Sequence, residues 1–126
     1  KTVVSRPIRI TEETVRIYGQ IAGYAATEHL NGAYAPLGLV LADCLMTQTI
    51  RRFKPEVPIG WTWNLLSPIK VGDELHLKIT VGDRCAASKP GWDVLTLQSV
   101  LINQHGEVVE EGQNRLMVAR RPDTAC

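Results

Sequence analysis

Few cysteines, little net charge and no long apolar run remove several classes of function at the outset. The three cysteines, Cys44, Cys85 and Cys126, form an odd set without metal-ligand spacing, so no metal site is expected and a reduced, cytoplasmic protein is the natural reading. Against 14 Lys plus Arg stand 13 Asp plus Glu, a formal net charge of +1. The pairs Arg51-Arg52 and Arg120-Arg121 are too short to make a phosphate-backbone surface, so no nucleic-acid partner is expected. No stretch reaches the length of a membrane span; the longest apolar region, Ala33 to Met46, is interrupted by Asp43 and suits a buried helix. The start, Lys1-Thr2-Val3-Val4-Ser5-Arg6-Pro7, lacks the basic-then-apolar layout of a secretory signal. Glycine-rich nucleotide loops, HExxH, GxSxG and paired-cysteine motifs are all absent, and no cofactor is expected.

The 126 residues suit one domain, placed at 1–119 with a frayed tail at 120–126. Thr11 is positioned to cap a first helix, with Glu12 and Glu13 in its positive first turn. Ile10 and Val15 have the spacing of a hydrophobic staple; Val15, Tyr18 and Ala22, joined by Ile17 and Ile21, supply an apolar face, and Gly23 stops the helix. From Pro36 to about Ile50, Leu37, Leu39, Val40, Leu41, Cys44, Leu45 and Met46 cover nearly every side of a second helix. Such a helix belongs against something broad, most naturally a sheet. Pro55 and Pro58 mark a linker.

The second half alternates at strand period. Trp61 to Leu66 is one candidate, and Leu75, Leu77, Ile79 and Val81 alternate with polar residues in Glu74 to Val81. Trp92 to Ile102 is apolar on both faces and therefore central, and a hairpin at Asn103-Gln104-His105-Gly106 leads into Glu107 to Ala119. Two early helices and about four later strands define an α+β domain whose antiparallel sheet wraps around the apolar helix.

Candidate chemistry is sparse. His76 lies on the polar phase of a strand and His105 in a turn, both read as solvated. His29 lies in a loop just before the buried helix, the kind of position that catalytic residues favour. Asp43 is a carboxylate inside the most apolar helix. It faces an open edge or caps a polar network, or else serves as an acid or base in a cleft, with Thr47 one turn later on the same face. Cys44, next to Asp43 in the apolar helix, reads as a small hydrophobe. Backbone N–H groups at Pro36-Leu37-Gly38 can polarise a carbonyl, or Gly38 can serve helix packing. Tyr24 and Tyr34 flank the loop, while Trp61 and Trp63 suit the core, an interface or an acyl-chain pocket.

Taken together, residues from about Ile10 to Val118 resemble the MaoC-like hot-dog domain of (R)-specific enoyl-CoA hydratases and 3-hydroxyacyl-thioester dehydratases. Thr11-Glu12-Glu13-Thr14 is similar to the family's helix start. Ala22-Gly23-Tyr24-Ala25-Ala26-Thr27-Glu28-His29 stands in the frame of its Ser-Gly-Asp-x-Asn-Pro-x-His motif. Pro68-Ile69-Lys70-Val71-Gly72-Asp73 resembles its Pro-Val-x-x-Gly-Asp segment, and Asn103-Gln104-His105-Gly106-Glu107-Val108-Val109 its final hairpin. His29 retains the motif's histidine, but Tyr24 replaces the aspartate, Ala26 and Thr27 replace the asparagine and proline, and Leu37-Gly38 replaces His-Gly.

The resemblance implies a hot-dog fold and three alternative functions. One is hydratase-derived acid–base chemistry (dehydration, isomerisation or cyclisation) with His29 as base, Tyr24 as donor and the Gly38 N–H on the carbonyl. Tyr34, Leu37, Trp61 and Trp63 would then line the substrate site. Another is thioester hydrolysis driven by Asp43. The third is a non-catalytic partner subunit of an active hot-dog heterodimer. The implied partners are an acyl-CoA, an acyl-carrier-protein thioester or a free, polyketide-like hydrophobic carbonyl compound, and a second copy of the chain in a homodimer.

Overall fold

A threonine at the end of an extended segment sets the first helix. The structure, a computed structural model, describes residues 1–23, 35–49 and 56–122. After β1 (Thr2–Val4) and β2 (Ile8–Arg9), helix α1 runs over Glu12–Ala22. The Thr11 side chain accepts a hydrogen bond from the Thr14 N–H at 3.1 Å, while Ile10 and Val15 are fully buried as a staple requires. Gly23 closes the helix at φ 83°, and its N–H is donated to the Gly19 carbonyl. Ile17 and Ile21 do not join the apolar face: they are 45% and 82% exposed. At about 100° per residue they lie on the far side of the helix from Val15, Tyr18 and Gly19.

Helix α2 (Ala35–Thr49) buries Leu37, Leu41, Ala42, Leu45 and Met46 and leaves Val40, Asp43, Cys44 and Thr47 exposed. That second set follows i, i+3, i+4, i+7, so the helix has one outward stripe rather than burial all round. Cys44 is therefore a free, exposed thiol and not a core residue. Cys85 is disulfide-bonded, which departs from the all-reduced expectation; Cys126 lies outside the described residues.

The strands β3 (Glu56–Leu65), β4 (Glu74–Ala86), β5 (Trp92–Ile102) and β6 (Val108–Ala119) pair antiparallel in the order β1-β4-β5-β6-β3, with β2 also on β4. β5 is the central strand, as its two apolar faces require. Leu75, Leu77 and Ile79 of β4, Leu95, Leu97 and Leu101 of β5, and Leu116 and Val118 of β6 form one core with the buried face of α2. The expected linker at Pro58 is part of β3. This is an edge strand, where proline costs no ladder bond, and a register shift between Pro58 and Gly60 absorbs Ile59.

Both recurring turn motifs are built for structure. Gly72 takes φ 97°, and Asp73 accepts from the Lys70 N–H at 2.9 Å and from Gln104 Nε2 at 2.9 Å. Asn103 Oδ1 accepts from the N–H groups of His105 and Glu107 at 2.9 and 3.0 Å, which folds the last hairpin. At the other end of the sheet, Asp93 is completely buried between Arg84 Nε at 2.9 Å and Arg120 Nε at 3.2 Å, and accepts from the Arg121 N–H. Arg120 and Arg121 are thus tied to β5 and are not frayed. Asp93→Asn is expected to lower unfolding free energy in urea by about 2 kcal/mol, the scale of lost charge-assisted hydrogen bonds. An unchanged midpoint would contradict this role.

Candidate active site

The departure from strand alternation that matters most is at the start of β6. Leu101 pairs with Glu110 but Ile102 pairs with Val108, so Val109 is an extra residue in the ladder. The bulge lets Val109 and Glu110 both turn inward, and Glu110 is only 1% exposed. Its Oε1 accepts a hydrogen bond from the indole Nε1 of Trp63 at 2.6 Å. A Cβ placed on Gly38 would overlap the Glu110 carboxylate. Glycine at that position is what allows α2 and the carboxylate to approach so closely.

Burial lifts the Glu110 carboxyl above the ordinary carboxylate range, and the Trp63 hydrogen bond only partly opposes the shift. Among the described residues no cation forms an ion pair with it. Two more polar groups share this face of the sheet. Ser99, opposite Gly112, has a buried Oγ without a hydrogen-bond partner among the described residues, and so does the Oδ1 of Asn114, whose Nδ2 donates to Met46 Sδ at 3.3 Å. Asn114 borders a hollow of about 20 Å³ with Asp43, Thr47 and Pro58, room for a single water.

Leu37 and Gly38 lie buried near the start of α2, and Gly38 meets Trp63 through Glu110. Trp63 is half-buried and packs edge-on against Trp61, with ring centroids 6.3 Å apart. Asp43 is exposed on the outward stripe of α2. Tyr24, His29 and Tyr34 lie outside the described residues. Sequence reasoning missed Glu110. The available signal was its phase: counting back by twos from Val118 through Leu116, Asn114 and Gly112 reaches Glu110 on the core face.

Among the described residues no helix is long and apolar enough to cross a membrane, and no cluster of His, Cys, Asp and Glu could hold a metal ion.

No protein-family model and no curated protein matches the sequence. Solved structures do match over nearly the whole chain. A monoamine oxidase regulatory protein from Archaeoglobus fulgidus superposes with a TM-score of 0.85 at 16% identity, covering 97% of this chain and 90% of its own. A MaoC-like dehydratase from Rhodospirillum rubrum gives 0.79 at 21% identity, with coverage of 97% and 92%. The (R)-hydratase PhaJ1 from Pseudomonas aeruginosa gives 0.76 at 19% identity, with coverage of 96% and 81%. The protein is therefore an α+β hot-dog domain. More particularly, it has the fold of the MaoC-like dehydratases and (R)-hydratases.

Proposed function

We propose that the chain is a hydratase- or dehydratase-type enzyme acting by acid–base chemistry on an acyl thioester or a related polyketide-like carbonyl compound. The observation that carries this reading is Gly38, buried near the start of α2 in a fold shared with named hydratases and dehydratases. The N–H groups of a helix's first turn and its positive end stabilise negative charge that develops on a thioester oxygen as the α-carbon loses a proton. In this reading the Gly38 N–H holds the carbonyl, His29 removes the α-proton and Tyr24 donates a hydrogen bond. Leu37, Tyr34, Trp61 and Trp63 flank the acyl group, which is borne by coenzyme A or a carrier protein or is free.

The site belongs to a homodimer in this reading. Strand β3, at the edge of the sheet among the described residues, exposes Val57, Ile59 and Trp61, an apolar surface that suits a second copy better than water.

The test is hydration of crotonyl-CoA, followed by loss of enoyl absorbance. His29→Ala is expected to lower kcat/KM by at least about 100-fold with an unchanged unfolding midpoint, the usual scale for a lost acid–base group. Release of free coenzyme A that is abolished by Asp43→Asn would replace this reading with thioester hydrolysis. Activity that appears only with a second, different hot-dog chain would make the protein a partner subunit.

A further inference from the structure

We propose that Glu110 is a catalytic residue, the proton donor of the acyl-thioester site, presented to substrate beside Gly38 and held in place by Trp63. The proposal rests on the acyl-thioester reading above and names a residue that reading does not use. A buried carboxyl with no ion-pair partner among the described residues is a costly way to fill apolar space, where glutamine, methionine or leucine would pack without that cost. Both oxygens lie against the place a side chain on Gly38 would take, and they differ in their hydrogen bonding. Oε1 accepts from the Trp63 indole at 2.6 Å. Oε2 is the atom that a side chain on Gly38 would strike first, so it faces the backbone of α2 at a point that only glycine keeps open.

The carboxyl is one side chain below the surface. Trp63, its hydrogen-bond donor, is half-buried, and Leu65, its neighbour across the β3–β6 ladder, is 53% exposed. In this proposal substrate approaches from the β3 edge, and the Trp63 ring has to shift for it to reach the carboxyl.

Among the described residues, the other titratable groups on the surrounding elements are placed elsewhere. Asp43 is on the outward stripe of α2, and Asp93 is at the far end of β5 between Arg84 and Arg120. Glu111 and Arg115 occupy the opposite phase of β6, and Glu56 is at the far end of β3, opposite Val118. Nothing among these competes for the Glu110 proton.

The chemistry balances in the dehydration direction. A base takes the C2 proton, the C2–H electron pair becomes the C2=C3 bond, and the C3–O bond breaks. The departing hydroxyl takes the Glu110 proton and leaves as water, and Glu110 remains as carboxylate. Proton return from the base through solvent restores both groups, and hydration runs the same steps backwards.

The experiment compares the whole protein with Glu110→Gln (E110Q) on crotonyl-CoA. Glutamine keeps the acceptor for Trp63 and removes no volume, so folding is not at risk. E110Q is expected to lower kcat about 100-fold or more with KM within about threefold, and to lose the fall in rate on the alkaline side that deprotonation of a general acid produces. A second measurement needs no turnover: the ¹³C signal of the Glu110 carboxyl, assigned by its absence in E110Q, should shift when an unreactive crotonyl-CoA analogue binds. An active parent with E110Q within about threefold of it and an unmoved carboxyl signal would overturn the role of Glu110 and leave the acyl-thioester reading standing. A parent that neither turns over nor binds the analogue would overturn both.

Discussion

Replacing Gly112 with alanine is expected to destabilise the protein by about 2 kcal/mol, measured by urea unfolding. Gly112 of β6 faces Trp63 of β3 in the ladder. A Cβ there would overlap the Thr62 carbonyl oxygen and lie 2.6 Å from Trp63 Cε3 and 2.9 Å from Trp63 Cα. Two of these neighbours are backbone, which cannot turn aside without parting β3 from β6. Overpacking of this kind costs roughly 1–3 kcal/mol or more, and the entropy recovered by removing a strand glycine offsets only about 0.5–1 kcal/mol. Because the Trp63 ring lies over Gly112, the same substitution should loosen the Trp63–Glu110 hydrogen bond and change the tryptophan fluorescence. An unfolding midpoint equal to that of the parent would mean that the two strands are not held this closely.

The second large effect is in the pH dependence of stability. Burial raises the folded-state pKa of Glu110 above the ordinary value of 4.5. Between that value and the folded-state pKa, the folded chain keeps a proton that the unfolded chain has released. The contribution of this group is therefore complete below pH 4.5 and declines as pH rises through the folded-state value. The slope for one proton is at most about 1.4 kcal/mol per pH unit. Glutamine cannot ionise, so E110Q should gain stability relative to the parent as pH rises from 4.5 toward neutrality, and the two should converge in acid. Parallel curves for parent and variant would show that Glu110 is as well solvated in the folded chain as in the unfolded one.

Much of the scaffold was legible because its signals are local. Thr11 with Glu12 and Glu13, the alternation of Leu75, Leu77 and Ile79, and the Asn103–Gly106 turn each specify a conformation through neighbours within a few residues. The doubly apolar Trp92–Ile102 segment also placed β5 at the centre of the sheet. What escaped depends on partners distant in sequence. Pro58 reads as a linker until the edge position of β3 makes it harmless. Asp93 looks like an ordinary strand acid until the fold brings Arg84 and Arg120 to it. Asp43 looks costly and Cys44 looks like a small hydrophobe in an apolar helix, but the 40, 43, 44, 47 stripe turns both outward.

The candidate site was the least legible part, for the same reason. Gly38 and Trp63 could be named from their types and positions. Glu110, which joins them, sits beside Glu111 in a run that reads as solvated charge. Only the bulge at Val109 and the core phase counted back from Val118 separate the two acids, and a one-residue insertion in a ladder has no composition of its own.

The most direct test is a crystal structure with an unreactive 3-hydroxyacyl-CoA analogue bound. The expected result is the thioester carbonyl at the backbone amides that begin α2 around Gly38, with the C3 hydroxyl toward Glu110 Oε2 and C2 within reach of His29. A thioester seated away from α2, or one that leaves the Gly38–Glu110–Trp63 contact untouched and C2 remote from His29, would contradict the proposed acid–base enzyme.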